Sequence, residues 1–159
     1  MKIISGGQTG ADQAALDAAI KCGVEHGGWL PKGRKTEKGP LPGRYRLQEM
    51  SSGNYRDRTE KNILESDGTL ICSHGKLSRG SALTEALAIR HNRPCLHINF
   101  NHYSEARAVD AIMAWILENT ITTINVAGPR ASGDPLIYEA VFNLISAVLR
   151  HLIHPGNRE

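Results

Sequence analysis

The chain is poor in aromatic residues and cysteine, and it has no long hydrophobic run. Phe, Trp and Tyr make up 5% of its 159 residues, so a core must be built from Ile, Leu, Val and Ala. The cysteines, Cys22, Cys72 and Cys95, lack zinc-ligand or Cys-x-x-Cys spacing, which favours free thiols in a reducing compartment. No segment approaches the ~20 apolar residues of a membrane-spanning helix, and no signal peptide is visible. We therefore expect a cytoplasmic protein without membrane contact and without a protein-ligated metal.

Two common nucleotide-binding signatures are absent as well. The first glycine-rich loop is neither the Gly-x-Gly-x-x-Gly fingerprint of dinucleotide-binding folds nor a P-loop ending in Gly-Lys-Ser/Thr. The formal net charge is +3, which suits a small anionic ligand better than a long nucleic-acid track. We therefore expect no nucleic-acid partner.

The seven histidines show no metal-ligand spacing, and only His74 follows a predicted strand.

What the chain does contain, at its start, is a glycine-rich turn between a short apolar strand and a helix. Residues 1–13 read MKIISGGQTGADQ, and Thr9 is the predicted N-cap of the helix. Such a turn presents backbone N–H groups and the positive end of a helix dipole to the space beyond the strand. Anions, and phosphates above all, bind well there. The opening segment therefore predicts a phosphate-recognising element.

Strand-like and helix-like segments alternate along the chain. Apolar β segments are predicted over 2–5, 68–72, 95–99 and 122–126, with a weaker one over 25–30. Helices are predicted over 11–22, 58–65, 81–91, 104–119 and from Asp134-Pro135 onward. This alternation indicates right-handed βαβ units and a mostly parallel sheet. We predict a single α/β domain over residues 1–159, with a Rossmann-like three-layer fold and helices on both faces of the sheet.

Three predicted strands are followed by loops that combine glycine with hydroxyl or guanidinium groups. These loops begin at Gly6, Ser73 and Gly128. Because ligands of such sheets bind beyond the carboxyl ends of the strands, we expect the loops to converge on one binding edge. Glycine lets the backbone approach an oxyanion closely, but it can equally serve turn geometry alone. Both interpretations stay open for each loop taken by itself.

The segment 31–58 is irregular, rich in Pro, Gly and polar residues, and strongly basic. It holds eight Lys and Arg against three Asp and Glu, a local charge of +5 in a chain whose total is +3. Its length favours a functional role over a passive connection. One interpretation is a solvated surface loop. The other is an anion-gathering flap over the strand ends, with Tyr45 or Tyr55 stacking on a flat ligand ring.

An ordered set of motifs resembles the molybdenum carrier protein family. The motifs lie at residues 6–12 (GGQTGAD), 27–34 (GGWLPKGR) with Tyr45, 55–62 (YRDRTEKN), 66–71 (SDGTLI) and 125–132 (NVAGPRAS). This family is similar to the algal molybdenum cofactor carrier. It belongs to the superfamily of the lysine-decarboxylase-like, cytokinin-activating phosphoribohydrolases and the DNA-processing protein A Rossmann domain. The resemblance runs nearly from end to end.

The resemblance implies a Rossmann-like fold, a nucleotide-like or pterin-phosphate ligand and a homo-oligomer, either a dimer or a tetramer. The cargo would be molybdenum cofactor (molybdopterin), whose dithiolene supplies sulfur to the metal, so the chain needs no metal ligands. Together with the positions of the strand-end loops, the resemblance predicts a set of ligand- and phosphate-binding residues. They are Gly6, Gly7, Gln8, Thr9, Gly10, Arg34, Tyr45, Arg56, Arg58, Thr59, Asn62, Ser73, Gly80, Ser81, Thr84, Gly128, Pro129, Arg130 and Ser132.

An enzymatic alternative is a nucleoside-monophosphate phosphoribohydrolase or a related nucleotide-processing activity. Such enzymes carry Pro-Gly-Gly-x-Gly-Thr-x-x-Glu, and aligning Gly80-Ser81 with Gly-Thr places Thr84 where the catalytic glutamate belongs. Glu85 comes one residue late, and one residue turns a helical side chain by ~100°. Glu85 or Asp67 would have to stabilise the oxocarbenium-like centre. A third hypothesis is a sensor of a nucleotide-derived signal. The sequence favours the binding and carrier role.

Overall fold

The computed structural model describes residues 1–156, which form a five-stranded central sheet, two small two-stranded sheets and five helices. In chain order the elements are β1 (Lys2–Ile4), α1 (Ala11–Lys21), β2 (Glu25–Gly27), β3 (Trp29–Leu30), β4 (Lys35–Thr36), β5 (Gly39–Pro40), β6 (Gln48–Glu49), α2 (Tyr55–Leu64), β7 (Gly68–Ser73), α3 (Arg79–Arg90), β8 (Cys95–Asn99), α4 (Glu105–Glu118), β9 (Thr123–Ala127) and α5 (Ile137–Ile153).

The central sheet has the strand order β2-β1-β9-β7-β8, and its strand pairs are parallel. β7 is buried at every position, as expected for an apolar run with strands on both sides and helices on both faces. Its Leu70 is in register with Leu96 of β8 and Val126 of β9. Because the strands are parallel, the carboxyl ends of β1, β7 and β9 share one edge of the sheet.

Helices cover both faces of the sheet. On one face α1, α4 and α5 enclose the main hydrophobic core, and the small alanine side chains of α1 allow it to pack closely against α5. On the other face α2 and α3 enclose a smaller cluster around Ile63, Leu87 and Ala88. The prediction of a Rossmann-like, three-layer α/β fold is confirmed. No helix between residues 1 and 156 combines the length and apolar character that crossing a bilayer requires.

The basic segment 31–58 is more ordered than its composition predicts. β4 and β5 pair antiparallel, and β6 pairs with β3. Leu41, Tyr45 and Leu47 are buried from this segment, together with Leu16 and Leu30, in a separate hydrophobic cluster. The segment therefore has a small core of its own, and most of its basic side chains lie on the outside.

Besides α3, which borders the site and is described with it, three helix starts differ from the sequence prediction, each for a local reason. The N-cap of α1 is Gly10 rather than Thr9, and no side chain caps this helix. α2 begins three residues before Arg58, because Asn54 accepts a hydrogen bond from the Arg56 N–H at 2.8 Å. α5 begins after Pro135, because Asp134 Oδ1 accepts from the Leu136 N–H at 3.0 Å and forms a turn that precedes the helix.

Candidate functional site

A cleft of about 1010 Å³ opens at the carboxyl edge of the central sheet. Its walls are the loops that follow β1, β7 and β9, together with one side of α2 and the start of α3. The predicted convergence of the three loops is therefore present. Most of the predicted ligand-binding residues line this cleft. They are Gly6, Gln8, Arg58, Thr59, Asn62, Ser73, Gly80, Ser81, Thr84, Gly128, Pro129, Arg130 and Ser132.

Several of these residues already use their polar groups inside the protein. The Asn62 side chain accepts from the Trp29 N–H at 2.8 Å and donates to the Trp29 carbonyl at 2.9 Å. Thr84 Oγ1 donates to the Gly80 carbonyl, and Ser73 Oγ donates to the Gly75 carbonyl. These side chains shape the wall of the cleft, and their present hydrogen bonds would have to be exchanged before they could bind a ligand.

Three residues of the first loop, Gly7, Thr9 and Gly10, do not line the cleft. Gly10 has φ +80°, and a Cβ there would lie 2.5 Å from the Pro129 carbonyl oxygen. The Ala11 N–H donates to the same carbonyl at 3.2 Å. Glycine at position 10 therefore allows the loops after β1 and β9 to touch through their backbones, which is the structural rather than the phosphate-binding interpretation.

The structure also places Arg34, Tyr45 and Arg56 away from the cleft lining, contrary to their predicted role. The Arg34 guanidinium donates to the carbonyls of its own segment, including Leu41 at 2.9 Å and Tyr45 at 2.8 Å. Tyr45 is 2% exposed and belongs to the hydrophobic cluster beneath the segment, because its ring is needed there to complete a core. Arg56 is exposed on the outside of α2.

Tyr55, the other ring considered for stacking on a ligand, is faced by cations. Lys35, Arg58 and Arg130 lie between 4.8 and 5.4 Å from its centroid. These contacts place the ring in an internal cation–π cluster. Neither Tyr45 nor Tyr55 is therefore placed to stack on a ligand ring, as the flap interpretation of the basic segment requires.

Glu37 of the basic segment binds donors that were predicted to hold a phosphate. Its carboxylate accepts hydrogen bonds from Thr9 Oγ1, Ser132 Oγ and, at 3.1 Å, the Ser132 N–H, and Arg130 Nη1 lies 3.9 Å away. Burial alone would raise the pKa of Glu37, but these hydrogen bonds hold it below its usual value. We call this arrangement of Thr9, Glu37, Arg130 and Ser132 the Glu37 clasp.

A second polar group, the Asp12 cluster of Gln8, Asp12 and Arg58, also borders the cleft. Asp12 Oδ2 accepts from the Gln8 N–H at 3.2 Å and from Arg58 Nη1 at 3.3 Å, and Nη1 also donates to the Gly6 carbonyl at 2.6 Å. Burial raises the pKa of Asp12 to about 6, although Arg58 acts to lower it. Burial likewise lowers the pKa of Arg58. The cluster combines two desolvated charges with direct access to the cleft.

Two nitrogen atoms of the Asp12 cluster have no hydrogen-bond partner within residues 1–156. They are Gln8 Nε2 and Arg58 Nε. Gln8 is 6% exposed and Arg58 is 8% exposed. Buried N–H groups in folded proteins are nearly always paired, so these two nitrogen atoms are exceptions within the described part of the chain.

Sequence reasoning placed the start of α3 two residues too late and missed Lys76 and Arg79 as cleft residues. This helix begins at Arg79, with Ser78 in the N-cap position, no side-chain cap and no acidic residue in its first turn. Lys76 and Arg79 line the cleft beside it. The prediction began this helix at Ser81, because Gly80 was interpreted as part of the preceding loop. The hydroxyl of Ser78, a residue type common at N-caps, was the available signal.

Asp12, His74 and Asp134 were also missed as cleft residues. His74 Nδ1 and Asp134 Oδ2 are 2.6 Å apart, which joins the loops after β7 and β9.

The charged side chains that line the cleft are mostly cationic. They are Arg58, Lys76, Arg79 and Arg130, against two carboxylates, Asp12 and Asp134. The lining therefore carries a formal charge of +2 and attracts anions. Residues 1–156 hold no group of three or more His, Cys, Asp or Glu suited to a metal ion.

Neither carboxylate considered for catalysis lies in the cleft lining. Asp67 precedes β7, at the opposite edge of the sheet, where its Oδ2 accepts from the N–H groups of Thr122 and Thr123 at 2.9 Å each. These hydrogen bonds lower the pKa of Asp67 and give it a structural role. Glu85 is absent from the lining, as the ~100° rotation from Thr84 predicts.

Known proteins similar to this chain agree with its fold. Residues 3–149 match the family model described as "Circularly permutated YpsA SLOG family". Among solved structures, the chain is similar to a protein of Syntrophus aciditrophicus SB that is provisionally named a molybdenum carrier protein. The two share 54% sequence identity with a TM-score of 0.92, over 93% of this chain and 94% of that one. No curated protein matches the chain.

Proposed function

Because the chain belongs to the circularly permutated YpsA SLOG family, we propose that it binds and carries a phosphate-bearing small molecule. The cargo we favour is molybdenum cofactor (molybdopterin), with a nucleotide-like molecule as the other candidate. The name of the similar Syntrophus protein supports the carrier role. The donors that line the cleft support an anionic ligand, and no metal ligand is required because the cofactor's dithiolene holds the metal.

The observation that carries this proposal is the start of α3. The helix has no side-chain cap, and although the Ser81 N–H donates to the Ser78 carbonyl at 3.1 Å, the N–H groups of Arg79 and Gly80 and the helix dipole are available to an anion. Lys76 and Arg79 line the cleft at the same place, and Ser81 is buried in the first turn. A phosphate placed here would meet a helix N-terminus and two cations without displacing any internal carboxylate. By contrast, Thr9 and Ser132 donate to Glu37.

The phosphoribohydrolase alternative is not favoured. That reaction needs a carboxylate beside the sugar, and neither Glu85 nor Asp67 lines the cleft. Incubation with AMP and GMP, followed by chromatography for free base, checks this point. Release of base would return the enzyme hypothesis to first place. The homo-oligomer and the cytoplasmic location stay predictions.

Native mass spectrometry of the protein purified without denaturation tests the carrier role. We expect a co-purified, phosphate-bearing pterin or nucleotide. Calorimetry with inorganic phosphate then tests the assignment to α3. Arg79→Ala should weaken phosphate binding by about 1.4–2.8 kcal/mol, roughly ten- to a hundredfold, because a charge-assisted hydrogen bond is lost.

The matched control is Arg90→Ala, an exposed arginine at the other end of α3. Its affinity for phosphate should equal that of the wild type. Equal weakening in both variants, or none in Arg79→Ala, would contradict the assignment of the phosphate to the start of this helix.

A further inference from the structure

The Glu37 clasp has the composition of an oxyanion site whose occupant comes from the chain itself. The Glu37 carboxylate accepts hydrogen bonds from Thr9 Oγ1, Ser132 Oγ and the Ser132 N–H. These donors belong to the loops after β1 and β9, which the parallel topology brings to the binding edge of the sheet. Hydroxyl groups, backbone N–H groups and a guanidinium are the donors that bind phosphate oxygens in proteins. A carboxylate of the basic segment thus holds donors that suit a phosphate.

Arg130 connects this arrangement to the cleft. Its Nη1 lies 3.9 Å from Glu37 Oε2, beyond hydrogen-bond range, and 44% of the Arg130 side chain is exposed. The guanidinium is therefore not committed to Glu37 as the hydroxyl groups are. Arg130 and Ser132 line the cleft, whereas Glu37 and Thr9 do not. An anion that enters from the cleft consequently meets Arg130 and Ser132 before it meets the Glu37 carboxylate.

We propose that Thr9, Arg130 and Ser132 form a second anion subsite, which Glu37 occupies until a phosphate group of the ligand displaces its carboxylate. A phosphate carries more charge than a carboxylate and offers three terminal oxygens instead of two, so it can bind the guanidinium and keep the other hydrogen bonds. The ends of β1 and β7 lie on opposite sides of β9, ~10 Å apart, which separates this subsite from the start of α3. The inference rests on the proposed function and adds that the cleft suits a cargo with two anionic groups.

Displacement of the carboxylate also frees the β4–β5 hairpin. Glu37 lies between the two strands, and its N–H donates to Gln8 Oε1 at 2.9 Å, so both its main chain and its side chain tie the hairpin to the loop after β1. Leu41, just beyond the hairpin, is held differently. Its N–H donates to the Arg34 carbonyl at 2.7 Å, and its side chain is buried in the separate hydrophobic cluster. Ligand binding should therefore loosen residues 35–40 and leave the core of the basic segment packed.

Hydrogen exchange of the full-length protein, followed by mass spectrometry, tests the proposal with inorganic phosphate as the probe at constant ionic strength. We expect saturating phosphate to speed exchange of the amide at position 37 at least about threefold, because its tie to Gln8 opens more often. The Leu41 amide should not respond and serves as the internal reference. Glu37→Ala empties the subsite, so it should show the faster exchange at position 37 without phosphate and no further response to it.

Three arginine variants locate the response. Arg130→Ala removes the cation that receives the phosphate, so the phosphate concentration needed for the response should rise at least about tenfold. Arg56→Ala, on the outside of α2 and away from the cleft lining, is the matched control and should respond as the wild type does. Arg79→Ala, at the start of α3, should weaken phosphate binding in calorimetry and leave the response at position 37 in place.

The outcomes separate this inference from the proposed function. Unchanged or slower exchange at position 37 in a protein that binds phosphate would overturn the inference alone. So would a response that Arg130→Ala retains in full. A normal response at position 37, with equal phosphate affinity in Arg79→Ala and Arg90→Ala, would support the second subsite and contradict the site at α3. Failure of the protein to bind phosphate at all would overturn both.

Discussion

The surroundings of Asp12 pull its pKa in opposite directions. Burial raises the pKa to about 6, and Arg58, the Gln8 N–H and Arg130 act to lower it. Transfer of a carboxylate from water into the protein costs more than these partners return, as in many buried ion pairs. The cluster is therefore a source of instability that the fold retains beside its cleft, which fits a role in ligand recognition.

The titration of Asp12 has a defined effect on stability. Its pKa in the folded chain, about 6, lies above the value of 3.8 for an unperturbed Asp, so the folded state holds an extra proton between these pH values. The extra proton on Asp12 therefore adds to the free energy of unfolding. This contribution is complete below pH 3.8 and is lost as the pH rises through 6, and the loss amounts to roughly 3 kcal/mol.

Urea denaturation of the wild type and of Asp12→Asn across pH 4 to 7 measures this effect. We expect the unfolding free energy of the wild type to fall relative to that of the variant as the pH rises. Subtracting the two curves removes the titration of other groups, including His26 and His97, whose pKa values burial lowers. Parallel curves would show that Asp12 does not titrate in this range.

Among the secondary-structure elements, the sequence predicted the strands of the central sheet best and did not predict β4, β5 and β6. β7, β8 and β9 are apolar runs between turn signals, and their periodicity was sufficient. The start of α3 was misplaced because Gly80 suggests a loop, and only the fold shows that the helix already begins there. The buried cluster under the basic segment was not predicted. Its members, Leu16, Leu30, Leu41, Tyr45 and Leu47, come from separate segments and show no common period.

In the candidate site too, features with a local sequence pattern were predicted, and features made by distant segments were not. Glycine-rich loops at strand ends predicted the edge of the cleft, since parallel topology brings such ends together. The pairing of Asp12 with Arg58 spans 46 positions and depends on how α2 packs. It could not be read from either local segment. Arg58 was predicted to contact ligand, but its Nη1 donates to Asp12 and to the Gly6 carbonyl inside the protein.

Contact between the loops after β1 and β9 gives a prediction about stability. Gly10→Ala would place a methyl group 2.5 Å from the Pro129 carbonyl oxygen at a φ of +80°. We expect a loss of about 2 kcal/mol or more in unfolding free energy, measured by urea denaturation, because both strain and a backbone clash oppose it. Gly53→Ala, where an added Cβ would meet nothing within 4 Å, should change stability by less than about 1 kcal/mol. Similar losses in both variants would contradict the proposed contact.

At the scale of the whole molecule, the Glu37 clasp joins three distant parts of the chain. Residues 9, 37 and 132 meet through one carboxylate, which ties the basic segment to the loops after β1 and β9. The carboxylate also lies 3.9 Å from Arg130. It therefore offsets part of the positive charge that the cleft presents to an anion.

Removing this carboxylate should strengthen anion binding. Glu37→Gln keeps a hydrogen-bonding side chain but deletes the charge, so we expect the affinity for inorganic phosphate to rise roughly threefold. Calorimetry at low ionic strength measures it. Glu49→Gln, in the same segment but bound to the Gly33 N–H and outside the cleft lining, is the control. An unchanged or weaker affinity in Glu37→Gln would mean that the clasp supports the site rather than opposing it.

The strand order has a consequence for how the protein assembles. β1, from the first residues, lies between β2 and β9, and α5 packs on α1. The two loops that meet at Gly10 and Pro129 are separated by more than a hundred residues. Contacts of such large sequence separation form late because a long stretch of chain must first be closed. On a ribosome, ligand capture by this cleft would thus have to await synthesis of β9 and the loop that follows it.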